Sequence, residues 1–243
     1  MGEKQNLESV GEEIVAKEAA WSFGGVTPKK FNEHVRRSVP YYEDGHELIV
    51  ELSDYFIKDG SVCYDLGTST GKVITFLAER HKHRSNVKLV GIDSQVEMVT
   101  EAKERIPPEL NVELIVDDIV THQYQKADLI VSYYTMQFVK PHLRQIMFNK
   151  IFETLNWGGA FIMFEKVRAC DARFQDIMQT LYTDYKIEQG YSSEEIIAKT
   201  KSLKGVLEPF STQGNLDLLK RAGFVDIMIV FKHICFEGII AIK

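Results

Sequence analysis

Val62-Cys63-Tyr64-Asp65-Leu66-Gly67-Thr68-Ser69-Thr70-Gly71-Lys72 is the stretch that decides the fold. A short apolar run ends on an acidic residue and breaks into a turn bounded by two glycines. A helical pattern follows at once, with Val73, Ile74, Phe76 and Leu77 on one face. Strand, glycine turn and helix in that order form the opening unit of an open α/β sheet. Ligands of such sheets lie outside the carboxyl ends of the strands, where this turn sits. Gly67 has no Cβ to hold a ligand away from the backbone. The helix after Gly71 begins with unpaired N–H groups facing the same crevice.

The turn excludes two nucleotide sites. A phosphate loop needs G-x-x-x-x-G-K-[ST]; here the glycines stand one residue too close and Val73 follows Lys72. A dinucleotide site needs G-x-G-x-x-G, and Ser69 occupies the middle glycine position. The segment 65–71 instead resembles the Asp-x-Gly-x-x-x-Gly nucleoside turn of class I methyltransferases, with Ser69 in place of the usual glycine. An ordinary strand-to-helix turn is the alternative.

Outward from the turn, 87–92 reads as a second strand ending at Asp93, suited to accept from ribose hydroxyls or to cap the helix at 96–105. A third strand at 112–116 leads into Asp117-Asp118-Ile119. There a carboxylate can accept from an adenine amino group while Ile119 packs on the ring; solvated loop acids are the alternative. The fourth strand, 127–133, delivers Tyr133-Tyr134-Thr135-Met136-Gln137-Phe138 to its carboxyl end. Pro141 starts a helix that Asn156-Trp157-Gly158-Gly159 should end, with the glycines as cap and turn. The fifth strand, 160–164, closes at Glu165. Residues 171–200 read as a helical insertion broken at Gly190-Tyr191-Ser192. A helix at 216–221 stops at Gly223, and strands at 227–231 and 239–242 form a hairpin that makes the last strand antiparallel. The N-terminal part reads as a polar segment over 3–20, a loop at Trp21-Ser22-Phe23-Gly24-Gly25, a helix from Pro28 interrupted over 36–42, and a helix at 43–57. The expected division is an N-terminal helical cap, 1–58, and a Rossmann-like domain, 59–243, with the insertion at 171–212.

The chain has 243 residues, 44% hydrophobic and 26% charged, which is ordinary for a globular protein. Its net charge of −6 argues against a nucleic-acid surface. No run approaches the ~18 apolar residues of a membrane span. The three cysteines are scattered and show no disulfide or zinc spacing. A cytoplasmic protein without a metal is expected, with Cys63 packed in a core strand.

Beyond the turn, a set of stretches runs in order along the chain: Trp21-Ser22-Phe23, Arg37-Ser38-Val39-Pro40-Tyr41-Tyr42, Tyr64-Asp65-Leu66-Gly67, Ile92-Asp93-Ser94, Asp118-Ile119, Thr135-Met136-Gln137-Phe138, Glu165-Lys166, Gly190-Tyr191-Ser192 and Ala222-Gly223-Phe224. In these the sequence resembles the carboxy-S-adenosylmethionine synthase family, which serves modification of tRNA wobble uridine. The resemblance implies a homodimer of class I methyltransferase fold: a seven-stranded, mostly parallel sheet with an antiparallel last strand, a helical N-terminal segment and a helical insertion. It implies S-adenosylmethionine as cofactor and prephenate as carboxyl donor. By position, Tyr42, Gly67, Asp93, Asp118 and Ile119 would contact the cofactor; Asp65, Thr68, Gly71, Ser94 and Tyr133 join them from the turns. Arg37, Tyr191, Thr200 and Lys201 would face the second substrate. Two departures stand out. Tyr133 replaces an asparagine of the family, and Thr200, with Lys201 beside it, falls where the family has the arginine that grips the added carboxylate. A threonine has no charge, and a lysine cannot copy the arginine fork.

The expected function is therefore methyl transfer from S-adenosylmethionine to a small-molecule acceptor. The alternatives are a carboxy-S-adenosylmethionine synthase with a lysine anchor and a catalytically silent binder of the cofactor. An acceptor hydroxyl would profit from a general base, for which the candidates are Tyr133, Tyr134, Glu165 and His142. The tyrosines can alternatively form an aromatic wall around the sulfonium. No direct nucleic-acid or membrane partner is expected.

Overall fold

The computed structural model describes residues 8–10, 15, 16, 19, 21 and 27–243. Most of the polar segment and the loop after Trp21 lie outside the described residues. Two short strands, β1 (Glu8–Ser9) and β2 (Val15–Ala16), pair antiparallel. Helices α1 (Thr27–Ser38) and α2 (Tyr42–Ser53) follow. The main body then alternates: β3 (Val62–Leu66), α3 (Lys72–His81), β4 (Lys88–Asp93), α4 (Val96–Arg105), β5 (Val112–Val116), β6 (Ala127–Tyr133), α5 (Pro141–Thr154) and β7 (Leu155–Lys166). The insertion is α6 (Ala172–Glu188) and α7 (Ser193–Ser202), and α8 (Thr212–Ala222), β8 (Asp226–His233) and β9 (Phe236–Ile242) complete the chain.

The seven-stranded sheet has the order β5-β4-β3-β6-β7-β9-β8. Only β9 runs against its neighbours, lying between β7 and β8. Alternate residues of the central strands feed two cores. Cys63, Leu129 and Val131 join Ile74 and Leu77 of α3 and Ile49 of α2. Tyr64, Leu66 and Ile130 join Phe148 and Ile151 of α5 and Leu218 of α8 on the other face. A parallel sheet covered on both faces needs this near-continuous apolar character. The chain winds outward from β3 to β5, returns to β6, and winds outward again, so the winding reverses between β3 and β6. The crevice belongs at that reversal.

The predicted strands and the helix at 96–105 are present, and three local expectations are corrected. Helix α1 continues through Arg36 and Arg37 to Ser38, and α2 ends at Ser53 rather than 57. Gly158 and Gly159 do not cap α5. Leu155 is already extended and pairs with Ala127, and the glycines lie within β7. There the Gly158 amide donates to the Lys243 carbonyl at 2.8 Å and the Lys243 amide to Gly159 at 3.0 Å. The insertion does break where expected: Gly190 takes φ 84° and Ser192 with Glu195 forms a capping box.

Gly45 ties α2 to the sheet. A Cβ there would collide with the Tyr133 hydroxyl. Ala normally gains about 0.5–1 kcal/mol over Gly in a helix. Gly45→Ala is expected to do the reverse and lower the thermal midpoint, and Gly45→Ala/Tyr133→Phe to recover most of the loss, as read by circular dichroism.

Candidate functional site

A cavity of about 810 Å³ opens at the carboxyl ends of β3 and β6. Its floor is the turn after β3, where Gly67, Ser69 and Gly71 take φ of 73°, 52° and 78°. The Gly67 and Thr68 amides donate to the Ile92 carbonyl at 2.8 and 3.0 Å, and the Ser69 amide to Asp93 Oδ2 at 2.9 Å. Asp65, Gly67, Asp93 and Ser94 line the cavity; Thr68 and Gly71 do not. The Thr68 hydroxyl turns beneath the turn to donate to Asp65 at 2.7 Å. Gly71 lies against Ile106 and Ala102, which leave no room for a Cβ. These two residues shape the turn from behind. Burial pushes the Asp65 carboxyl up to about 7, with Thr68 opposing and Asp93 adding to the rise.

Asp93 is half-buried at the tip of β4 and also accepts from the Gln95 amide at 2.9 Å. It therefore organises the turn and the start of α4 together, and its carboxylate borders the cavity. Asp118 is exposed on the rim and accepts from the Val120 amide at 2.8 Å. Ile119 beside it is buried, its carbonyl held by the Tyr124 hydroxyl at 2.7 Å. Asp117 pairs with His122 at 2.8 Å. The glycine cradle, an acid at the end of β4, and an acid beside an apolar side chain after β5 suit a nucleoside carrying hydroxyls and an exocyclic amine. Replacing Asp93 by Ala leaves the Ser69 and Gln95 amides without this acceptor. Hydrogen bonds to charged groups contribute about 1.5–3 kcal/mol. Asp93→Ala is expected to weaken S-adenosylmethionine binding by about 10–100-fold in calorimetry.

Tyr42, Tyr133, Tyr134 and His46 form one wall. Tyr133 donates to the Tyr42 carbonyl at 2.5 Å, and its ring lies 5.0 Å from Tyr42 and 4.7 Å from Tyr134. Burial holds the phenols of Tyr133 and Tyr134 well above 10, so both keep their protons at neutral pH. Tyr134 itself sits at φ 60°, a costly conformation for a bulky residue of the kind that clusters at functional sites. His46 was not singled out in the sequence; its position four residues after Tyr42, on the same helix face, was the available signal. Its ring nitrogens have no hydrogen-bond partner among the described residues, and burial lowers its pKa to about 3. Glu165 is buried away from the cavity, and burial pushes its carboxyl up to about 8. His142 is exposed in the first turn of α5, also away from it. The geometry thus gives no support to a base role for any of the four candidates.

Further lining of the cavity comes from α1, β7 and the insertion. Arg37 does not line it. Its guanidinium clamps the Gln189 carbonyl at 2.8 and 3.0 Å and lies 4.4 Å from the Tyr191 ring centre. Tyr191 lines the cavity with its hydroxyl 3.1 Å from that of Ser38. Thr200 lines it too, its hydroxyl donating to the Ile196 carbonyl at 2.8 Å. Lys201 does not line it, whereas Lys199, Lys166 and Lys186 do. Two residues apart on a helix, Lys199 and Lys201 face different ways. The Lys166–Lys186 pair escaped sequence reading because twenty residues separate its members.

A sequence profile described as "Methyltransferase domain" matches residues 63–159. The carboxy-S-adenosyl-L-methionine synthase of Staphylococcus epidermidis is 35% identical over 224 residues, 92% of this chain and 97% of that protein. Its counterpart in Campylobacter jejuni subsp. jejuni serotype O:6 is 38% identical over 215 residues, 88% of this chain and 90% of that protein. Human N-acetylserotonin methyltransferase, solved in complex with S-adenosylmethionine, superposes with a TM-score of 0.55 at 17% identity, over 92% of this chain and 60% of that one. Among the described residues no helix is long and apolar enough to cross a membrane. With its sheet order, its glycine cradle and these relatives, the chain is an S-adenosylmethionine-dependent enzyme of class I methyltransferase fold and belongs to the carboxy-S-adenosyl-L-methionine synthase family.

Proposed function

We propose that the protein carboxylates S-adenosylmethionine, with prephenate as the carboxyl donor, rather than passing its methyl group to an acceptor. The observation that carries this reading is identity of 35% with a named synthase across 97% of that relative's length, a span that includes the insertion over the cavity. The electrostatics agree. Tyr133 and Tyr134 retain their protons and His46 is a weak base, so the wall is poorly equipped to deprotonate an acceptor hydroxyl. The cavity lining also carries Lys166, Lys186 and Lys199, which suits a carboxylate-bearing partner. S-adenosylmethionine supplies a methyl carbon activated by its sulfonium. The chain's own part is alignment: the 65–71 turn, Asp93 and Asp118 would hold the nucleoside, and the tyrosine wall would border the sulfonium. We take the protein to be cytoplasmic, in keeping with its three scattered cysteines, and, as the resemblance implies, a homodimer.

Methyl transfer to a small acceptor remains the second reading. It is favoured by one observation, Thr200 in place of the arginine expected to grip the added carboxylate. The test is incubation of purified protein with S-adenosylmethionine and prephenate, followed by mass spectrometry of the nucleosides. Carboxylated sulfonium is the expected product. Its absence, with demethylated nucleoside accumulating once an acceptor is added, would favour the second reading.

A further inference from the structure

Lys166 ends β7 and Lys186 lies in the last turn of α6, and both side chains converge on Tyr182. Lys166 Nζ stands 4.2 Å and Lys186 Nζ 4.5 Å from the centre of the same ring. Both residues line the cavity, and Lys186 is only 7% exposed. Among the described residues neither ammonium is hydrogen-bonded or ion-paired. The arrangement is held rigidly. Tyr182 donates to the Ser38 carbonyl at 2.8 Å, and the Lys166 amide donates to Gln137 Oε1 at 2.9 Å. The titratable groups that act on the pair are each other, Arg168 and Cys235, whose thiol burial keeps protonated; no carboxylate is among them. Burial, followed by Lys166, lowers Lys186 to about 8. An aromatic face offsets part of the desolvation of one ammonium. It does not explain two like charges held together in one wall, since buried charges are ordinarily paired.

We propose that Lys166 and Lys186, seated on Tyr182, form an anion subsite that holds the carboxylate of an organic acid, the second substrate. The subsite rests on this geometry; its assignment to the carboxyl donor rests on the reading under Proposed function. The negative group is held from β7 and α6, on the cavity wall that α7 leaves without an arginine at Thr200. Removal of one ammonium would relieve like-charge repulsion in the ligand-free protein while removing half of the anion's counter-charge.

The test uses the full chain and malonate as the probe. Malonate is titrated calorimetrically into the S-adenosylmethionine-loaded wild type and into Lys166→Met, Lys186→Met and Lys186→Arg. The expected result is saturable malonate binding to the wild type, weakened at least about tenfold in both Met variants and within roughly threefold of wild type in the Arg variant. S-adenosylmethionine affinity stays within about threefold throughout, and the thermal midpoint of ligand-free Lys186→Met equals or exceeds that of the wild type. The proposal is overturned by wild-type protein that takes no malonate at millimolar concentration, by equal malonate affinity in the Met variants, or by a lowered midpoint in Lys186→Met, which would make the lysine a structural prop. The two proposals fail separately. Lysine-dependent malonate binding without carboxylated product removes the reaction and leaves the subsite. Carboxylated product formed by Lys186→Met at an unchanged KM for prephenate removes the subsite and leaves the reaction.

Discussion

Gly67→Ala is expected to weaken S-adenosylmethionine binding by at least about 100-fold and to cost about 3 kcal/mol of stability. Two effects combine. At φ 73° an alanine pays ~1–2 kcal/mol for its Cβ against the following carbonyl. The new Cβ also collides with the Thr135 side chain, which faces Gly67 from the turn after β6. The collision lies at the crevice floor, so relief requires the β3 turn or the β6 turn to shift, and both line the cavity. Gly60→Ala separates the two effects. Gly60 has φ 78° but nothing within 4 Å of an added Cβ. It should lose only ~1–2 kcal/mol and bind the cofactor normally. Calorimetry with S-adenosylmethionine and denaturant unfolding read both numbers. Normal binding by Gly67→Ala would show that the cofactor does not approach this turn.

Stability is expected to fall as pH rises from about 4 to 8, against the usual trend for carboxylates paired at the surface. Burial raises Asp65 from 3.8 to about 7 and Glu165 from 4.5 to about 8. Between its ordinary and raised value, each group is protonated in the folded protein and ionised in the unfolded chain. The folded state then binds more protons, and stability declines with pH. The contribution is fully present below about pH 4 and is lost through pH 7 for Asp65 and pH 8 for Glu165. For Asp65 the proton is held roughly a thousandfold more tightly when folded, on the order of 4 kcal/mol across the window. Asp54, Glu43 and Asp117 are lowered by Arg80, Lys72 and His122 and act in the opposite sense. They are solvent-exposed pairs whose effect is small. His46, lowered by burial to about 3, also acts in the opposite sense up to its ordinary 6.5, so below about pH 6.5 it offsets one of the two carboxyls and the net fall is that of the other. Urea unfolding at pH 5 and pH 8 measures the fall. Asp65→Asn keeps an acceptor for the Thr68 hydroxyl and should remove the Asp65 share, the smaller of the two over this range, leaving the larger share due to Glu165. An Asp65→Asn slope equal to that of the wild type would place the effect elsewhere.

Much of the fold was legible because its signals are local. The apolar run into Asp65 and the two glycines specify strand, turn and helix from neighbouring residues, and 96–105 carries its helical period within ten positions. The glycine pair at 158–159 misled because glycine after a helix signals a cap. Here pairing of Leu155 with Ala127 and of Gly159 with Lys243 overrode that preference. In the site, the sequence pointed to Asp65, Gly67, Asp93, Asp118 and Tyr133, all of which line the cavity. Thr68 and Gly71 were drawn in by the same motif, yet they shape the turn from behind.

By itself the sequence determined the alternation of strands and helices, the antiparallel last strand, the cofactor turn and the acids at the ends of β4 and β5. Each depends on periodicity, turn chemistry or adjacency along the chain. Tertiary structure alone decided which side chains meet: His46 against Tyr133, Thr135 over Gly67, Lys199 rather than Lys201 on the cavity wall, and Lys166 with Lys186 on Tyr182. The physical reason is that such meetings depend on helix rotation and on the packing of distant elements against the sheet, and no local pattern along the chain encodes either.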